Sequence, residues 1–155
     1  MTTITLSEIK AAQDHLASLI AKFEAAAVPA VSTTLIVPEA QIELRPGEVY
    51  AGLVLTDAGL PSHHLVLLPG QAEDVTWEAA KAWAKDVGGE LPTCPEAALL
   101  YANAKSHFED RWYWCAEEYS DRFAWFQNFL NGGQNGDAKS AELRARAVRL
   151  IQVDA

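Results

Sequence analysis

The sequence predicts an α+β domain of antiparallel hairpins plus two helices, preceded by an N-terminal helical arm. Three observations carry this. Apolar residues recur at three-four spacing along residues 7–27. Beyond residue 43, short strand-like runs alternate with turn residues, and two capped amphipathic stretches interrupt them between the first strands and the last. That order, a hairpin, two helices and then several strands, is α+β rather than α/β.

The arm comes first. In SEIKAAQDHLASLIAKFEAAA, residues 7–27, Ser7 suits the N-cap and Glu8 the first turn. Leu6, Ile9, Leu16, Ile20, Phe23 and Ala27 fall at heptad spacing, with Gln13 as the single polar interruption. Two readings stay open: a helix packed on its own domain, or a parallel bundle that makes the chain a homo-oligomer, with Gln13 fixing register. Residues 28–37, VPAVSTTLIV, are β-branched and flanked by proline, which suits a strand or an extended connector. Residues 1–45 thus form arm and connector, and residues 46–155 the domain proper.

Within that domain, Arg45-Pro46-Gly47-Glu48 reads as a turn and VYAGLVL from Val49 as a strand. Asp57-Ala58-Gly59-Leu60-Pro61 then turns the chain into HHLVLLP, completing a hairpin. Thr76 caps a helix whose stripe is Trp77, Ala80, Ala84 and Val87, closed by Gly88-Gly89. Thr93-Cys94-Pro95-Glu96 is a capping box opening a second helix, with Ala97, Leu100, Ala104 and Phe108 on its buried face. WYWCAEEY and RFAWFQNF alternate like strands, Asn131-Gly132-Gly133 and Asn135-Gly136 signal turns, and LRARAVRLI reads as one closing strand.

Composition narrows the function classes. Half of the 155 residues are apolar, so the chain buries a real core. A net charge of −9 argues against nucleic acid, whose phosphates are held by clustered Lys and Arg, and against anionic lipid. No apolar run reaches the roughly 20 residues of a membrane span, so no insertion is expected. MTTITLSEIK has no basic-then-apolar leader pattern, so we expect synthesis in the cytoplasm without a signal peptide and a cytoplasmic or virion-associated product. Cys94 and Cys115 are too few for a disulfide scaffold and read as reduced thiols.

Taken in order, Leu91-Pro92-Thr93, Trp112-Tyr113-Trp114-Cys115-Ala116-Glu117, Ala124-Trp125-Phe126-Gln127-Asn128-Phe129 and Arg144-Ala145-Arg146-Ala147-Val148-Arg149 resemble the C-type-lectin-like domain family typified by the C-terminal domain of a bacterial collagen-like adhesin. They are especially similar to phage and prophage members related to the targets of diversity-generating retroelements. The resemblance spans residues 49–151. It implies a compact mixed fold whose last strands and loops carry a broad ligand-binding face. Carried over position by position, that face would include Glu118, Tyr119, Asp121, Phe123, Trp125, Gln127, Asn128, Leu130, Asn131, Gln134, Asn135 and Asp137. Rigid rings beside adaptable amides are the usual stuff of recognition surfaces. The chain departs from the family where Cys-Ala-Glu replaces Ser-Ser-Thr. It also lacks the Glu-Pro-Asn or Gln-Pro-Asp and Trp-Asn-Asp runs that chelate calcium in sugar-binding members.

An enzyme reading is weaker. Formylglycine-generating enzymes share this fold, and Cys94 sits in a helix first turn, where the dipole activates thiols. No base is legible beside it, and buried structural cysteine is the default. His63 and His64 point to opposite faces of one strand, and His15 and His107 lie elsewhere, so no metal-ligand spacing results. Glu117, Glu118 and Asp121 form a solvated loop or partner the arginines, and those arginines suit internal ion pairs. The expectation is a non-enzymatic module with no catalytic residues, cofactor or metal, binding a protein or glycan on a host surface. An intracellular phage protein that sequesters a host factor is the alternative.

Overall fold

The computed structural model describes residues 4–26 and 40–153. The chain divides into two compact units, Met1–Leu35 and Ile36–Ala155.

The first unit holds one helix, α1 (Leu6–Ala26). Thr5, not Ser7, caps it: the Thr5 hydroxyl accepts from the Glu8 amide at 3.3 Å, and the Glu8 carboxylate accepts from the Thr5 amide at 2.7 Å. The reason is local. Thr5 has a glutamate three residues on, whereas Ser7 has Lys10, which cannot return the bond. None of the helix's residues is buried, so the heptad side chains from Leu6 to Phe23 all face solvent. The strand or connector expected over residues 28–37 lies outside the described residues.

The second unit is α+β. Strands β1 (Val49–Leu55) and β2 (Pro61–Leu67) form the expected antiparallel hairpin. Then come β3 (Ala72–Val75), α2 (Trp77–Asp86) and α3 (Cys94–Ala104), with a 3₁₀ turn at Lys105–His107. The last third supplies β4 (Trp112–Glu118), β5 (Phe123–Asn128), β6 (Gln134–Ala138), β7 (Leu143–Ala145) and β8 (Val148–Gln152). One sheet has the order β1-β2-β8, the other β3-β7-β4-β5-β6, and among the described residues only the β4–β7 pairing is parallel.

Both helix starts follow the sequence reading. The Thr76 hydroxyl accepts from the Ala79 amide, and Thr93 and Glu96 complete a reciprocal box. Val87, expected on the α2 stripe, is an exposed C-cap instead, because the chain turns away at Gly88 with φ +88°.

LRARAVRLI does not form one strand. It splits into β7 and β8, one in each sheet, and Arg146 sits at the break. Its guanidinium donates to the carbonyls of His107 and Leu68, while the Ala147 carbonyl accepts from the Leu68 amide. Asn135-Gly136 is likewise no turn but the middle of β6. The turn lies at Asn131–Gly133, where Gly132 takes φ +80°.

Because successive strand residues point to opposite faces, Tyr113 and Trp114 enter different cores. Trp114, Ala124 and Phe126 pack with Trp77, Ala80 and Ala84 of α2. Tyr113 and Phe129 pack with Leu65, Leu67, Leu100 and Ala104, on the α3 side. Indole nitrogens tie the layers, Trp77 to the Cys115 carbonyl at 2.8 Å and Trp114 to the Val75 carbonyl at 2.9 Å. The five-stranded sheet is therefore packed on both faces over part of its area, and a contact surface is confined to what the helices leave open.

Candidate functional site

One such opening is a ring cluster on β5 and β6. Here Trp125 pairs with Gly136 and Phe123 with Ala138, so large rings on one strand meet the smallest residues on the next. A register shift in β4 between Trp114 and Glu118 lets the chain fold back, the Tyr119 amide donating to the Phe123 carbonyl at 2.9 Å. The Tyr119 ring then lies edge-on to Trp125, centroids 4.7 Å apart at 67°. A Cβ at position 136 would sit 2.5 Å from that ring, so glycine is required there by close approach and not by a turn. Tyr119 is 52% exposed, Phe123 is exposed and Trp125 half-buried, which makes an outward ring platform.

Glu118 and Asp121 stand beside it, joined by Lys139: the ammonium pairs with Glu118 at 3.1 Å and donates to the Asp121 carbonyl at 3.0 Å. Glu117 turns the other way and accepts from the Cys94 amide. These acids therefore do not partner the arginines, as the sequence allowed. Arg144 bridges Glu73 and Glu109, and Arg149 grips Glu48.

The amide candidates divide. Gln127 is 1% exposed, a correction to its expected place on the contact face. It lies inward because β5 is covered on both sides at that level, and its carbonyl oxygen accepts from Gln134 at 2.7 Å. Gln134 also donates to the Cys94 carbonyl, tying β6 to the start of α3. Asn135 pairs with Phe126 and Asn128 with Trp112, so both belong to the face opposite Trp125. Asn128, Asn131, Asn135 and Asp137 each spend a side-chain oxygen on a nearby backbone amide, those of Leu130, Gly133, Gly136 and Ala138. They brace turns and strand edges first. Leu130 is exposed and lies by Trp112. The twelve positions thus do not make one patch: Tyr119, Phe123 and Trp125, with Glu118 and Asp121 alongside, come together, and the rest do not join them.

The start of α3 is a dense polar joint that sequence reasoning found only in part. His63 donates from Nε2 to buried Glu96 at 2.8 Å, and its Nδ1 is hydrogen-bonded to the Ser62 hydroxyl at 2.9 Å. The capping box signalled Glu96; nothing local signalled His63, which arrives from another sheet. His64 faces the other way onto the Tyr50 hydroxyl. Cys94 occupies the helix start, but both Glu117 oxygens accept its amide at 2.9 Å, so that end of the dipole already faces an anion.

Cys115 is fully buried, and the neighbouring Cys94 side chain together with that burial pushes its thiol well above the usual range. Cys115 is expected to stay unlabelled by iodoacetamide in the native protein and to react only on unfolding, read by peptide mass. Labelling at the rate of an exposed thiol would contradict this burial. Among the described residues no three His, Cys, Asp or Glu side chains converge as metal ligands, and no helix is long and apolar enough to cross a membrane.

No protein-family model matches this chain, and neither does any curated protein sequence.

Proposed function

We propose that this chain is a non-enzymatic binding module: a C-type-lectin-like domain of phage or prophage type that recognises a protein or glycan, without metal, through the platform of Tyr119, Phe123 and Trp125. The observation that carries this is the Tyr119 ring held over Gly136 and against Trp125 while half of its surface stays in water. Rings locked by packing lose little entropy on binding, and centrally placed Tyr and Trp dominate interface energies. The order of hairpin, helices and a strand-rich last third supports the family reading, as do the ordered motifs.

The heptad of α1 supports homo-oligomers, in which weak single sites gain through multivalency. Binding to intact host cells, measured by flow cytometry, tests the module. Tyr119→Ala and Phe123→Ala are each expected to lower binding about tenfold or more at unchanged far-UV circular dichroism. The pair Leu16→Asp and Ile20→Asp should weaken attachment while keeping the monomer fold. Capture of one soluble host protein from lysate, with no attachment to cells, would favour a module that sequesters a host factor. Binding unaffected by either aromatic change would remove the platform from the proposal.

A further inference from the structure

A second opening lies across the sheet from the platform, and the module's proposed face does not use it. It is a cleft of about 570 Å³, within the roughly 300–1,000 Å³ of small-ligand sites. Its apolar floor is Trp112, which stacks on Phe126 at 4.9 Å and 15° yet stays 46% exposed, with Leu130 beside it. One indole face is thus backed by a second ring and the other is open. Large aromatics are normally buried on both faces, so a backed but open indole stands ready for a flat partner.

The rim decides which partner. Arg144 sits between Glu109 at 2.6 Å and Glu73 at 3.3 Å. Arg111 lies close enough to Glu109 to help Arg144 and Gln71 hold that carboxyl below its usual range. Arg144 is therefore answered by acids, while Arg111 makes no ion pair within 4.0 Å among the described residues. Asp74, Asp110 and Glu142 line the cleft besides. Only Lys105, 3.9 Å from Asp110, reaches any of them; among the described residues Asp74 and Glu142 have no cation within 4.0 Å. Asp74 is carried outward where β3 breaks register between Ala72 and Val75, with φ 49°. An anion would meet these carboxylates. An uncharged group would leave them unanswered.

We propose that this cleft binds an arginine side chain presented by a partner polypeptide, its guanidinium stacked on Trp112 and its N–H groups donating to the carboxylates of Asp74 and Glu142. A planar guanidinium is weakly hydrated, lies flat on an indole and carries donors on its edge, so one group satisfies floor and rim together. An ammonium, compact and strongly hydrated, stacks less well. The net charge of −9 draws such a ligand in.

The test is an NMR titration of the full chain with a blocked Gly-Gly-Arg-Gly-Gly peptide, its lysine and citrulline counterparts, and free arginine. The arginine peptide is expected to saturate and to shift the Trp112 indole signal. The citrulline peptide should bind about tenfold more weakly, lysine less tightly than arginine, and added salt should weaken the arginine peptide. Asp74→Asn with Glu142→Gln, both at exposed positions, should cost about fivefold or more without changing the fold; Trp112→Leu should cost as much or more. Tyr119→Ala should leave this titration unchanged, which separates the cleft from the platform. Free arginine binding as tightly as the peptide would assign the site to a small metabolite rather than a polypeptide and overturn the partner. Equal binding of citrulline, no saturation at millimolar peptide, or indifference to the double variant would overturn the site.

Discussion

Replacing His63 by alanine is expected to destabilise the protein by about 2–4 kcal/mol, one of the largest effects of any single polar change here. Glu96 is 2% exposed, and His63 is the only cationic-capable group within 4.0 Å of its carboxylate among the described residues. Removing a partner from a buried charge leaves the charge without its counterpart, which costs far more than the pair's own net contribution. The Thr93 amide stays bonded to Glu96 at 2.9 Å, which keeps the loss below the upper end of the range for such pairs.

In a chain of this length the change should appear as a melting temperature lower by roughly 5–15 °C. Glu96→Gln should cost less than His63→Ala, because the amide oxygen can accept from the Thr93 amide while the amide nitrogen donates to His63 Nε2 in its other tautomer. A His63→Ala protein melting within about 2 °C of the parent would show that water or a shifted side chain answers Glu96.

Glu48 gives the second large effect, and it depends on pH. Its side chain is 2% exposed, and Arg149 donates to both carboxylate oxygens, at 2.8 and 2.7 Å. The Arg45 amide adds a third bond at 2.8 Å. The hydrogen bonds from Arg149, opposed by burial and helped by the Arg45 amide, hold the carboxyl down at about 2 against an ordinary 4.5. A folded-state value below the unfolded one stabilises the fold at pH above the unfolded value, and that stability is lost as pH falls through the folded one.

Glu48→Gln is therefore expected to lose about 1–2 kcal/mol near neutral pH, less than the full linkage value because Arg149 remains partly in water. The gap between parent and variant should narrow as pH falls below about 4.5 and close near pH 2. Urea unfolding followed by tryptophan fluorescence across that range measures it; a gap that stayed constant into acid would exclude the ion pair as its source. The pair also matters for architecture. Arg149 donates to the Glu43 carbonyl as well, so it fastens the chain entering β1 to the last strand.

How much of this was legible depends on how local each cause is. Helix starts were readable at Thr76 and Thr93 because a cap acts across three residues. The hairpin of β1 and β2 was readable because its turn residues and its apolar runs lie side by side in sequence. The short polar strands were not. Ala72–Val75 and Gln134–Ala138 carry no alternation, and they exist because neighbouring strands offer them a ladder. Asn135-Gly136 shows the same limit, since that glycine answers a ring that comes from Tyr119.

The candidate site divides along the same line. That rings and amides crowd the last third is a property of the sequence. That Asn128 and Asn135 look away from Phe123 and Trp125 follows from register, whereas Gln127 shares the face of Trp125 and is buried because the sheet is covered at its level. A shift of one residue moves every side chain to the opposite face, so register cannot be read from composition.

By itself, then, the sequence determined the α+β class, the two capped helices, the heptad on the arm and the acidic charge, all of which rest on nearest neighbours and simple periods. Only the tertiary structure decided that LRARAVRLI serves two sheets, that His63 meets Glu96, and that Trp112 opens onto a cleft rimmed by Asp74 and Glu142. Those outcomes depend on groups tens of residues apart being held within a few ångströms, and that proximity is set by the packing of the whole sheet.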